Sequence, residues 1–165
     1  MLPIVVQSKT AIGLAGAGEG LARRRALLAA AGVAPLHISP EDKLPKRLRL
    51  LFIAGLPRER SQALAARARA AGILVNVEDA PALCDFHVPA VVRRGDLMIS
   101  ISTGGRAPGL AKLIREWIER RLGPEWRGHL EELAESRARW RGAGLDPAEV
   151  SRRTRALAAE RELLP

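Results

Sequence analysis

Chemistry-bearing side chains are densest between Asn76 and Pro108, NVEDAPALCDFHVPAVVRRGDLMISISTGGRAP. The stretch holds Glu78, Asp79, Asp85 and Asp96, the single Cys84, and His87. A carboxylate just past a strand end, as Asp79 is in Asn76-Val77-Glu78-Asp79, can act as a general base. It can equally cap a helical turn at Ala80-Pro81. Cys84 has no His–acid pairing to activate it and reads as a small buried residue. Asp85 reads as a local cap or pairing partner. His87 reads as a structural residue of an apolar strand, and no compact His/Cys cluster suggests a metal site. The stretch ends in a Gly-rich turn, Ser102-Thr103-Gly104-Gly105, which opens onto a helix and is a possible anion-binding corner.

A second Gly-rich turn lies near the N-terminus, Gly16-Ala17-Gly18-Glu19-Gly20. Glycines let backbone N–H groups approach a pyrophosphate, and a helix N-terminus adds a favourable partial charge. The pattern is GxGxGL rather than GxGxxG, and such corners also occur for purely structural reasons. Glu41 and Asp42 follow the turn by ~20 residues, the spacing of an acid that binds ribose hydroxyls. A solvated loop is the competing account of the same two residues.

Those groups need elements to hold them. Ala11–Ala15, Val33–Ile38, Leu50–Ala54 and Ile73–Val77 are short apolar runs and read as strands buried on both faces. Helices are expected from Leu21 to a stop at Gly32, and from Arg58 to Gly72. Strand, glycine turn, helix and strand repeat in that order, which gives a parallel α/β sheet. Two more strands are expected at His87–Arg93 and Asp96–Ser102, joined at Arg94-Gly95-Asp96. Pro108 suits a first helical turn, and Leu110, Leu113, Ile114, Trp117 and Ile118 then share one face. From Gly123 the chain reads as polar helix, broken at Gly142–Gly144. It restarts at Asp146 as N-cap with Glu149 at N3. This tail lacks a core of its own and is expected to pack on the sheet or on a second subunit.

The 165 residues suffice for one domain with a helical appendage. One cysteine excludes an internal disulfide framework. The first residues lack the basic start and long apolar core of a signal peptide, and no run reaches the ~20 apolar residues of a membrane span. A soluble cytoplasmic protein is expected. The net charge of +9 would suit nucleic acid, an anionic membrane or a polyanionic small molecule, or it could reflect an Arg-rich composition alone. Aromatic residues make up 3% of the chain, too few to favour nucleic-acid stacking.

The string from Asn76 to Glu119 resembles the N-terminal module of siroheme synthases, the precorrin-2 dehydrogenase family, some of whose members also insert ferrous iron. The likeness lies in N-V-x-D after a strand, C-D-F, the x-P-A-x-V run, I-S-T-G-G-x-x-P and the following L-A-x-x-x-R. Gly16–Gly32 is similar to the family's first turn and helix. The resemblance implies a Rossmann-like parallel sheet with a small dimerisation region and a helical C-terminal part. The corresponding spans are 1–79 for the NAD-binding part, 80–122 for dimerisation and substrate, and 123–165 for the helical region. It implies NAD as cofactor, a homodimer, precorrin-2 as substrate and sirohydrochlorin as product.

By the same resemblance Asp79 is the catalytic residue, and NAD contacts fall on Gly16, Gly18, Glu19, Gly20, Pro40 and Glu41. Thr103, Gly104, Gly105 and Arg106 form a substrate clamp in the same cleft. Arg93 and Arg94 add positive charge suited to a polycarboxylate macrocycle. Neither a resident metal, nucleic acid nor a membrane is expected as a partner. The chain departs from the family in its cofactor half. Ser39–Leu50 is short, Ile53–Pro57 lacks a hydroxyl or an acid, and Gly20-Leu21 replaces a valine and a small residue. A non-catalytic tetrapyrrole-binding or sensing protein is the alternative those departures suggest.

Overall fold

A computed structural model of the chain describes residues 4–7 and 9–163. It forms two compact units, Met1–Val88 and Pro89–Pro165. The first is a four-stranded parallel sheet with strand order β2-β1-β3-β4. Its strands are β1 (Ile12–Gly16), β2 (Leu36–His37), β3 (Leu50–Ala54) and β4 (Leu74–Val77). Helix α1 (Gly18–Ala30) links β1 to β2, and α2 (Arg58–Ala70) links β3 to β4.

The continuous apolar runs follow from burial on both faces. On one side Ile12, Leu14, Leu50 and Phe52 pack with Leu28 of α1. On the other, Ala15, Leu51, Ile53, Val75 and Val77 pack with Leu64, Ala65 and Ala68 of α2. Leu14, Leu51, Ile53, Leu64 and Val75 are fully buried, each contributing about 1.5–3 kcal/mol of hydrophobic stabilisation.

The strand expected over Val33–Ile38 shrinks to Leu36–His37. Val33 N–H still closes the end of α1 on the Leu28 carbonyl (2.9 Å), and Pro35 has no N–H to give a ladder. Gly13 and Leu14 of β1 pair with Leu36 and His37, and β2 forms the sheet edge.

The opposite edge is β4, and Cys84-Asp85-Phe86 runs along it. Asp85 N–H donates to the Val75 carbonyl (2.8 Å), and its carboxylate accepts from Val75 N–H (2.9 Å). Cys84 Sγ lies 3.2 Å from both Val77 N and Val77 O, and Asn76 Nδ2 donates to the Phe86 carbonyl (2.9 Å). Phe86 meets Phe52 edge-on at 5.3 Å. The motif thus satisfies an edge that would otherwise be open to pairing. Cys84 and Asp85 are structural, as their surroundings in sequence suggest.

The second unit begins with an antiparallel hairpin, β5 (Ala90–Arg94) and β6 (Leu97–Ile101), turned at Gly95-Asp96 with Gly95 at φ +59°. His87 precedes the hairpin and is exposed rather than part of a strand. Helix α3 (Pro108–Arg121) packs on β5 and β6. Helices α4 (Trp126–Gly142) and α5 (Pro147–Glu160) pack on each other, and α4 also meets β6. The tail therefore finds its apolar cover on the hairpin of its own unit. Asp146 caps α5, accepting from Ala148 N–H (2.8 Å) and Glu149 N–H (2.9 Å). Glu149 does not complete the reciprocal box; its carboxylate binds Arg152 and Arg153 instead.

Candidate functional site

In an open parallel sheet, ligands gather at the carboxyl edge where the strand order reverses. Here β2 lies on one side of β1 and β3 on the other, so that reversal falls at the end of β1. The chain turns there through Gly16-Ala17-Gly18 into α1. Gly16 sits at φ +148°, and a Cβ there would collide with the Ala54 carbonyl. Ala17 N–H donates to that same carbonyl (3.2 Å). Gly55, at φ +67°, presses on Ala17 in turn. A Cβ on Gly20 would strike the Glu78 carboxylate and the Gly55 backbone. Gly16 and Gly20 are therefore needed for two turns to interlock.

Gly18 differs. It holds φ +62°, and a Cβ there would meet nothing within 4 Å. The N-cap of α1, Ala17, makes no side-chain hydrogen bond to the helix. An open glycine beside an uncapped helix start fits the pyrophosphate of a dinucleotide. Glu19, at that helix start, is 95% exposed and pairs weakly with Arg23 (3.6 Å).

Beyond β2, the loop Ser39–Asp42 is held from α2. Arg60 pairs with the Glu41 carboxylate, and Ser39 Oγ donates to the other Glu41 oxygen (3.0 Å). Arg67 donates to the Pro40 carbonyl and to the Asp42 carbonyl, the latter at 2.6 Å. The Ser39 hydroxyl, the local backbone and Arg60 hold the Glu41 carboxyl below the ordinary carboxylate range. Spacing along the chain singles out Glu41 but not Arg60 and Arg67, which lie 19 and 27 residues from their partners in the loop.

At the end of β4, Glu78 is 17% exposed and reaches back to Arg23 of α1 (3.4 Å). Asp79 follows in a left-handed conformation, φ +56°, one of two non-glycine residues at positive φ among those described. It is exposed, and among the described residues its carboxylate has no partner. The capping account fails: the 3₁₀ turn Pro81–Leu83 has Ala80 as N-cap and no side-chain cap. Asp79 thus stands at the sheet's ligand edge with a positive φ and a carboxylate open to solvent.

The turn Thr103–Arg106 belongs to the second unit. Ser102 Oγ accepts from Gly104 N–H (3.2 Å), and Thr103 Oγ1 accepts from Ala107 N–H (3.2 Å). Gly104 and Gly105 hold φ +63° and +79°. Arg106 is exposed, with no ion pair among the described residues. Arg94 does not add to an anion site. It caps the end of α3, donating to the carbonyls of Glu119 (3.0 Å), Leu122 (2.6 Å) and Gly123 (3.1 Å). Arg93 lies against Met98 Sδ (3.4 Å).

The family model described as putative NAD(P)-binding matches residues 5–90, more than half of the chain. The model described as sirohaem biosynthesis protein, central, matches residues 94–121. The chain belongs to this putative NAD(P)-binding family. Among family members, the siroheme synthase of Methylococcus capsulatus is 38% identical over 131 residues, 70% of this chain and 28% of the relative. That of Methylobacillus flagellatus is 36% identical over 126 residues, 63% of this chain and 27% of the relative. The chain thus spans roughly a quarter of the length of these family members. The fold is that of a solved structure described as SirC, precorrin-2 dehydrogenase. The TM-score is 0.71 at 18% identity, covering 97% of this chain and 88% of that one. Among the described residues no helix is long and apolar enough to cross a membrane, and no group of three His, Cys, Asp or Glu could hold a metal.

Proposed function

We propose that the chain oxidises precorrin-2 to sirohydrochlorin with NAD, in the cytoplasm, and that Asp79 is the base. The observation that carries this reading is Asp79 itself, unpaired and strained at φ +56° on the sheet edge that also bears Gly18. The names of the siroheme synthase relatives and of the dehydrogenase sharing the fold supply the substrate class.

When bound, NAD accepts the hydride that leaves the macrocycle. The chain's own residues do the rest. The α1 amides at Gly18–Gly20 hold the pyrophosphate, and Glu41 and the Pro40 backbone meet the ribose. Loss of a hydride leaves a cationic ring that must shed a proton, and the Asp79 carboxylate takes it. Thr103, Gly104, Gly105 and Arg106 hold a ring carboxylate, chiefly through the unpaired guanidinium of Arg106. Iron insertion, with ferrous ion as substrate, would use Asp79 to remove pyrrole protons.

The protein works as a homodimer. Leu110, Leu113 and Trp117 are 50%, 63% and 49% exposed along α3, an apolar stripe of the kind that subunit contacts cover.

Incubation of the full chain with precorrin-2 and NAD should yield sirohydrochlorin. Asp79→Ala should lower turnover by about 10²–10⁴-fold while leaving NAD binding intact. No product from the wild type would overturn the dehydrogenase reading. It would favour a tetrapyrrole-binding role, to which the altered cofactor half, with Gly20-Leu21 and no acid at Ile53–Pro57, lends its support.

A further inference from the structure

We propose that Arg60 is a specificity-determining positioning residue, which fixes Glu41 so that the chain selects NAD over its 2′-phosphorylated form. The inference rests on the dinucleotide reading of this sheet edge. Glu41 follows β2 and Arg60 lies in the first turn of α2, just after β3. Because β2 and β3 flank β1, the pair bridges the carboxyl edge on either side of the glycine turn. It does so on the α2 face, where Ile38, Leu48 and Leu64 share one core.

The loop is fixed at every residue. Ser39 Oγ holds one Glu41 oxygen, Arg60 the other, and Arg67 binds the carbonyls of Pro40 and Asp42. A carboxylate so held accepts from a ribose 2′-hydroxyl and repels a 2′-phosphate. An arginine at this place would ordinarily receive that phosphate. Here its guanidinium is engaged by Glu41. The two side chains are 52% and 65% exposed, so the ion pair adds little to stability. A merely structural role therefore predicts no effect on cofactor choice.

The test is calorimetric titration of the full chain with NAD and with NADP, without tetrapyrrole. Circular dichroism of each variant checks that the fold is retained. The wild type should bind NAD at least ~10-fold more tightly than NADP. Glu41→Ser releases Arg60 and should bring the ratio to parity or reverse it. Arg60→Ala should weaken NAD several-fold and narrow the ratio to within ~3-fold, with Arg60→Lys restoring part of it. A ratio unchanged in both variants would overturn the role of the pair while leaving NAD binding in place. Failure of the wild type to bind either dinucleotide would overturn the cofactor reading and this inference together.

Discussion

Two glycine-rich turns open onto helices in this protein, and their backbone amides meet different fates. At Gly16–Gly20 the glycines face outward and inward by turns. Gly16 and Gly20 are wedged against Ala54, Gly55 and Glu78, while Gly18 looks into open space beside an uncapped helix. At Ser102–Gly105 nothing presses on Gly105, and the neighbouring hydroxyls already take the N–H groups of Gly104 and Ala107. Pro108 then starts α3 with no N–H to offer. A glycine-rich turn before a helix is an anion site only where donors remain unclaimed. On that criterion the first turn is suited to a pyrophosphate, and the second presents its charge through Arg106.

Substituting the tightest glycine should separate the two turns most sharply. Gly16→Ala forces a Cβ into the Ala54 carbonyl at φ +148° and should cost at least about 3 kcal/mol. Gly105→Ala meets only its positive φ and should cost about 1 kcal/mol. Urea denaturation of both variants measures the difference, and equal losses would break the contrast.

Thr103→Val tests the second turn. It removes the acceptor for Ala107 N–H and should destabilise by about 1 kcal/mol, as loss of a hydrogen-bond partner does. Turnover should fall far less than in Asp79→Ala. A loss as large as that variant's would make the Thr103 hydroxyl a catalytic participant rather than a support for the turn.

The smallest effect concerns α5, a third helix start, in which Asp146 takes both leading amides. Glu149 behind it binds Arg152 and Arg153, and the Arg152 hydrogen bond, ahead of that from Arg153, lowers its pKa from 4.5 to about 2. The folded pKa lies below the unfolded one, so this contribution is whole above pH 4.5 and lost as pH falls towards 2. The group is exposed and the effect should be slight. Thermal midpoints of the wild type and Glu149→Gln, different at pH 6, should converge by the lower limit of that window.

Much of the sheet was legible because parallel strands buried on both faces must be apolar throughout. Leu50–Ala54 matches its expected bounds, and Gly32 and Gly72 stop the helices before the next strands. The exception, β2, shrank because Pro35 and the closing bond of α1 leave few N–H groups for an edge strand. The Cys84-Asp85-Phe86 motif was visible as a pattern but not as an edge cover, since its partners are 7 to 10 residues away on β4. Arg94, expected to add charge for a polycarboxylate substrate, is instead taken up by the end of α3, which only the fold brings within its reach.

The sequence by itself determined the alternation of strand, turn and helix, the family, and the candidacy of Asp79, because periodicity, glycine placement and local motifs are properties of neighbours along the chain. Tertiary structure decided which glycine faces open space and which faces a neighbouring turn. It decided that Asp79 is strained and unpaired rather than a cap, and that Glu41, in the loop after β2, is held by an arginine of α2. The glycine packing and the hold on Glu41 depend on contacts between residues 19 or more positions apart, such as Arg60 with Glu41, which spacing along the chain does not encode.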